Sequence, residues 1–181
     1  MIYVRNDDVL IESRAFSFEE SFNRFKEIHA YICNNKKFIH IPAIIINGIK
    51  EEVLQFLKVE TEAGRMVPEV HCFNHTDYGK LNYDQVVADL TLCVNWFKDN
   101  MPNKPTKFFV PWAGESALIE KAAKEVGLEM VGGKRNFIEP HKYLDGAYPL
   151  IDGCYISMHW WKAGDYNRMK RLTEGEVCIS L

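Results

Sequence analysis

The feature that most constrains this chain is the alternation of short apolar, β-type runs with segments of helical period, the pattern of βα units laid on a parallel sheet. Strand-like runs occupy residues 1–6, Phe38–Ile46, the neighbourhood of Val67–Cys72, Lys107–Val110, Leu128–Val131 and Cys154–Met158. Between the first two, Ser17-Phe18-Glu19-Glu20 reads as a capping box opening a helix whose Phe18, Phe22, Phe25, Ile28 and Ile32 share one face. A short helix carrying Val53, Phe56 and Leu57 follows Asn47-Gly48, and a long one spans about residues 82–99 until Met101-Pro102-Asn103-Lys104-Pro105 stops it. A fourth helix, from about Glu115 to Val126, ends at Gly127, and a last one covers about residues 165–173. The stretch from Gly132 to Gly153 has no clear period and is expected to be irregular. No G-x-G-x-x-G or Walker pattern follows any strand, so the alternation predicts a parallel (β/α) barrel, complete or distorted, in preference to a doubly wound nucleotide-binding sheet.

Length and charge narrow the partners. A chain of 181 residues suits one domain, expected over residues 1–181. Twenty-two Lys and Arg against 25 Asp and Glu leave a net charge of −3 with no basic stripe, which argues against a nucleic-acid partner. The longest apolar run, Ile41–Ile46, is far shorter than the roughly 20 residues of a membrane helix, so no membrane span is expected. Ile2-Tyr3-Val4 directly after Met1 has no signal-peptide character, and the five cysteines show no C-x-x-C spacing, so reduced thiols and a cytoplasmic location are expected.

Chemically distinctive residues fall at the same end of four strands. Asp7 and Asp8 close the first, His71 closes the third with His75 four residues later, Pro111-Trp112 follow the fourth, and His159 closes the last. In α/β barrels that end is where the βα loops converge on one cavity. Taken singly, the aspartates read as a solvated pair or a turn cap, the two histidines as a weak metal spacing, and His159 as a packed imidazole. Together they ask for a cation. Adjacent carboxylates repel unless something positive sits with them, and one carboxylate with two imidazoles leaves room on a divalent ion for water and a substrate oxygen.

These residues resemble, in order and over nearly the whole chain, the polysaccharide deacetylase family, the NodB homology domains of carbohydrate esterase family four. Arg5-Asn6-Asp7-Asp8-Val9 is similar to its first motif, and the resemblance implies that Asp7 is the catalytic base and Asp8 a metal ligand. Glu69-Val70-His71-Cys72-Phe73-Asn74-His75-Thr76 resembles the second, implying His71 and His75 as ligands. Phe108-Phe109-Val110-Pro111-Trp112 resembles the third, a groove wall, and Ile156-Ser157-Met158-His159 the last, whose histidine is the general acid. The family likeness therefore implies a distorted parallel (β/α) barrel of the polysaccharide deacetylase type. It also implies Zn2+, or another divalent ion such as Co2+, Ni2+ or Mn2+, and metal-activated hydrolysis of an N- or O-acetyl group on a carbohydrate.

Two departures carry expectations of their own. The arginine that the family uses in its third motif to orient the base falls on Phe109 or Val110, which cannot pair with a carboxylate, so Asp7 is expected to lack that support. The motif that holds the acid histidine is indistinct; Asp152 or Asp145 offers the carboxylate, with Asp152 the first candidate, and Trp160 or Trp161 the hydrophobic wall. Pro111, Trp112, Trp160 and Trp161 are the expected substrate-binding residues. Two further readings stay open: a metal-retaining, non-catalytic carbohydrate binder, and an amidohydrolase acting on a small non-peptide C–N bond.

Overall fold

In the computed structural model, which describes residues 1–9, 16–113, 116–131, 153, 155–160 and 162–174, the alternation becomes β-strands and helices in the expected order. The strands are β1 (Ile2–Val9), β2 (Phe38–Ile45), β3 (Glu69–Cys72), β4 (Lys107–Phe109), β5 (Glu129–Val131) and β6 (Tyr155–His159). The α-helices are α1 (Phe18–Asn34), α2 (Glu51–Glu62), α3 (Tyr83–Asn100), α4 (Ala117–Glu125) and α5 (Ala163–Thr173), with 3-10 turns at Tyr78–Lys80 and Pro111–Ala113. The sheet runs β5-β4-β3-β2-β1-β6, and every neighbouring pair is parallel.

Side chains alternate between the faces of each strand, and this divides the core in two. On the outer face, Val4, Val70 and Ile156 join Phe25, Ile28 and Ile32 of α1, Leu57 of α2, Leu90 and Phe97 of α3, and Ile119 of α4 in one buried cluster. On the inner face, Ile41, Ala43, Phe109 and Val131 form a second cluster with Tyr3, Ile39 and Tyr155. That inner cluster reveals the curl. Strands β4 and β6 are separated by three others, about 19 Å in a flat sheet with strands about 4.8 Å apart, yet the Phe109 and Tyr155 ring centroids lie 6.3 Å apart. The sheet is a distorted (β/α) barrel whose inner face is concave.

Boundaries differ from expectation where hydrogen bonds decide them. Strand β1 continues through Val9, so both aspartates belong to it, and its register on β2 shifts between Asn6 and Val9. Helix α4 starts at Ala117 because the Ser116 hydroxyl accepts the Ile119 N–H and caps it. The capping box at the start of α1 forms as read, with the Glu20 carboxylate accepting the Ser17 N–H at 2.8 Å. No helix among the described residues is long and apolar enough to cross a membrane.

One polar pair interrupts the outer core. His29 of α1 and His40 of β2 are 5% and 0% exposed, and burial pushes both imidazoles below their ordinary value of 6.5; the neighbouring imidazole adds to this for His40, while the Glu60 carboxylate partly opposes it for His29. Both are therefore neutral in the folded chain near pH 7. Unfolded, they take up protons below about pH 6.5, so the fold loses stability as pH falls through that value, at up to about 1.4 kcal/mol per pH unit per imidazole. Urea unfolding of metal-free protein between pH 7.5 and 5.5 should show this fall, and a smaller one in His40→Gln; equal slopes in the two proteins would remove the pair as its cause.

Candidate metal and hydrolytic site

Backbone strain marks the site independently of side-chain chemistry. Among the described residues, the non-glycine positions with positive φ are Asp8 (59°), His75 (49°) and Trp112 (58°). Such conformations cost of order 1–3 kcal/mol each and persist where the surroundings enforce them. All three lie at the C-terminal ends of inner-face strands, on or just beyond β1, β3 and β4. The turn carrying His75 is held by the Cys72 sulfur, which accepts the His75 N–H at 3.0 Å, by Asp89, which accepts the Phe73 N–H at 3.2 Å, and by Asn47, whose N–H meets the Phe73 carbonyl at 2.9 Å.

Asp8, His71 and His75 converge as the sequence predicts. Asp8 Oδ1 is 3.2 Å from His71 Nε2 and 3.1 Å from His75 Nε2, and one ligand atom from each residue lies within 4.8 Å of the others. Separations near 3 Å are what donors about 2.0–2.2 Å from one ion span. The tautomer of His71 sharpens the fit. Its Nδ1 donates to the Phe109 carbonyl at 2.7 Å, so a neutral ring turns the Nε2 lone pair towards the carboxylate. Two facing acceptors are unfavourable without a proton or a cation between them, and a divalent ion is one occupant that meets that need. Burial pushes the Asp8 carboxyl up, but His71, His75 and His159 hold it far below the carboxylate range; Asp8 in turn raises His75.

The neighbouring Asp7 has the support expected to be missing. Period two along β1 puts Arg5 and Asp7 on the same inner face, and the guanidinium grips the carboxylate with two bonds: Nε to Oδ1 at 2.6 Å, and Nη2 to Oδ2. Arg5 is 3% exposed and Asp7 2%. Phe109, one of the two positions (with Val110) on which the family likeness places the arginine, instead presents its ring 5.0 Å from the Arg5 guanidinium. The guanidinium thus comes from β1, with the aromatic ring of β4 behind it. Burial raises the Asp7 carboxyl, but Arg5, joined by His71 and His159, outweighs it and the net shift is downward.

His159 sits across β1, paired in register with Asp7, and its Nε2 is 3.7 Å from Asp8 Oδ2. Asp152, expected to hold it, lies outside the described residues, as does Asp145. The carboxylate found beside His159 is Asp165 in the first turn of α5, which accepts the His159 backbone N–H at 3.1 Å and stands 4.0 Å from Nδ1. Burial lowers the His159 imidazole, against the pull of Asp7, Asp8 and Asp165. Neither Arg5 nor Asp165 was singled out from the sequence. For Arg5 the signal was present in the two-residue spacing from Asp7; for Asp165 it was a carboxylate opening the helix after the strand that ends at His159.

The aromatic residues separate into two kinds. Trp112 is 68% exposed and stacks on His75, with ring centroids 5.1 Å apart. Trp160, expected to face substrate, is 1% exposed and gives its indole N–H to the Asp8 carbonyl at 2.8 Å, so it braces the strained aspartate from behind. Pro111 is likewise buried, and Trp161 lies outside the described residues.

No family model matches this chain, and no curated protein matches it. Solved structures do. A family 4 carbohydrate esterase from Streptomyces lividans, in complex with acetate, superposes with a TM-score of 0.71 at 15% identity, over 96% of this chain and 85% of that one. A family 4 pseudoenzyme from Bacillus anthracis matches at 0.69 and 14% identity, over 97% of this chain and 60% of that one. A family 4 acetyl xylan esterase from Clostridium thermocellum, in complex with cobalt, matches at 0.61 and 9% identity, over 94% and 79%. The inward-curled parallel sheet of this chain is therefore the (β/α) barrel fold of the family 4 carbohydrate esterases and polysaccharide deacetylases.

Proposed function

We propose that this chain is a metal-dependent hydrolase that removes an acetyl group from an N- or O-acetylated sugar. The observation that carries the reading is the placement, at one end of the sheet, of an Asp8–His71–His75 donor set between an Arg5-clamped carboxylate, Asp7, and an imidazole, His159. Asp8, His71 and His75 would hold a divalent ion of the Zn2+ or Co2+ type. When bound, such an ion supplies Lewis-acid polarisation of the acyl carbonyl and of attacking water.

The residues of the chain do the rest. Asp7, fixed by Arg5, takes the proton from the attacking water. His159, on the adjoining strand, hands a proton to the departing amine or alcohol, and Asp165 orients the strand end that carries it. Trp112 offers an exposed face of the kind that stacks on a sugar ring. Acetate in the Streptomyces structure agrees with this class of product. The pseudoenzyme from Bacillus anthracis keeps a second reading in view, a metal-retaining carbohydrate binder. The Arg5–Asp7 clamp favours the enzyme, because it restores the guanidinium missing from the third motif.

Acetate release from a panel of N-acetylated chitooligosaccharides and O-acetylated xylans tests the proposal. His159→Ala should retain metal and lower turnover about 10²-fold or more, with the alkaline limb of the pH-rate profile lost. An unaltered rate would make His159 a packed histidine with no part in the chemistry.

A further inference from the structure

On the outer face of the sheet, four polar side chains run in single file from the protein surface to the end of β6, the strand that carries His159. Glu60 of α2 lies 2.9 Å from His29 Nε2, His29 Nδ1 lies 2.9 Å from His40 Nδ1, and His40 Nε2 lies 3.3 Å from Asn6 Nδ2. Asn6 Oδ1 then accepts the backbone N–H of Trp160 at 2.9 Å. Asn6 and His40 are fully buried and His29 nearly so.

Only one arrangement of hydrogens satisfies every link with neutral rings. The Trp160 N–H demands the oxygen of Asn6, so the amide nitrogen faces His40 and must donate. His40 Nε2 then accepts, which puts the His40 proton on Nδ1. That proton points at His29 Nδ1, which accepts in turn and carries its own proton on Nε2, aimed at the Glu60 carboxylate. The charged groups around the row do not break it. Arg65 binds Glu60 through Nε at 2.5 Å and Nη2 at 2.9 Å. The Cys33 sulfur is 3.4 Å from His29 Nε2 and 3.6 Å from Nδ1, farther than the row's own partners of that ring, and its thiol reaches the Arg65 carbonyl at 3.5 Å.

The geometry points to a directional hydrogen-bond chain, Trp160 N–H to Asn6 to His40 to His29 to Glu60, that positions Trp160 at the end of β6 and with it His159 and the Asp8 peptide. Trp160 links the row to the site: its backbone N–H anchors the chain, and its indole N–H holds the carbonyl of the strained Asp8. An apolar filling would pack this layer without any demand on tautomers, whereas the row couples a surface ion pair to the back of the site. Asn6, His40 and His29 are thus positioning residues. Their effect on turnover rests on the function proposed above; the chain itself does not.

Long-range 1H–15N correlation spectra of protein labelled at histidine nitrogens, at pH 7, should show opposite neutral tautomers, Nδ1–H for His40 and Nε2–H for His29. The same tautomer at both rings, or a charged ring at either, would overturn the chain. In His40→Phe, which keeps a ring in the layer, the Trp160 amide should exchange about tenfold faster, the change expected from losing roughly one net hydrogen bond. Exchange in α3 should be unchanged, Co2+ affinity should stay within about threefold, and turnover of an acetylated sugar should drop about tenfold at unchanged KM. His29→Phe gives the same readouts if His40→Phe does not fold. Parental protection at Trp160 in a folded variant would reduce the row to packing. If the parent releases no acetate, the proposed reaction fails, and the tautomer and exchange results still decide the chain.

Discussion

Replacing Asp8, His71 or His75 singly with alanine should abolish tight binding of a divalent ion while leaving a folded domain. Each variant removes one of three protein donors, and the loss should exceed the 10–100-fold that even an outer-shell partner of a metal ligand typically contributes. The three are not equivalent in the free protein. Removing Asp8 takes away the carboxylate that both imidazoles face, whereas removing His71 also frees the Phe109 carbonyl, which accepts the His71 Nδ1–H. His75→Ala should perturb the fold least, since its ring is part-exposed and its backbone N–H still reaches Cys72. Metal stoichiometry by mass spectrometry, beside circular dichroism, reads both effects. Unchanged stoichiometry in all three variants would defeat the donor assignment.

Asp7→Asn should do the reverse: keep the metal and lose about 10²–10⁴-fold in turnover, because an amide cannot take up the proton of water. Its partner permits a finer experiment. A buried guanidinium deprived of its carboxylate is destabilising by about 3–5 kcal/mol, so Asp7→Ala should lower the melting temperature far more than Asp7→Asn, whose amide oxygen still accepts from Arg5. Arg5→Met should lose turnover with metal retained. In the double variant Arg5→Met with Phe109→Arg, the guanidinium is offered from β4 at a position already 5.0 Å from its present place. Recovery of turnover in the double variant is the expected result. Full activity in Arg5→Met would show that Asp7 needs no such support.

The two aspartates and the two histidines were legible because their meaning is local. A strand end, a four-residue spacing and the convergence of βα loops suffice to bring Asp8, His71 and His75 together, once the alternation of elements has fixed a parallel curled sheet. The Arg5–Asp7 clamp needed less information than that. It follows from alternation along one strand, but it stays hidden if β1 is ended at residue 6 and an arginine is sought only on β4. Trp160 was harder. Nothing in Met158-His159-Trp160-Trp161 says that the Trp160 indole turns inward to the Asp8 carbonyl, beside the irregular register of β1 on β2. The His29–His40 contact joins a helix face to a strand face, and helical periodicity alone gives the face but not the residue opposite. Asp165, six residues beyond His159, is no farther along the chain than Asp152, seven residues before it, so sequence separation alone does not tell which carboxylate stands beside the imidazole.

Deacetylation by this chain is proposed to depend on a divalent ion held by Asp8, His71 and His75. That dependence is tested most directly by acetate release from N-acetylated chitooligosaccharide in one protein sample taken through three states: as purified, chelated, and reloaded with Zn2+ or Co2+ while stoichiometry is measured. About one ion per chain, turnover lost on chelation, and recovery in step with the ion returned are the expected results. Acetate release that persists after the ion has been removed would contradict the dependence.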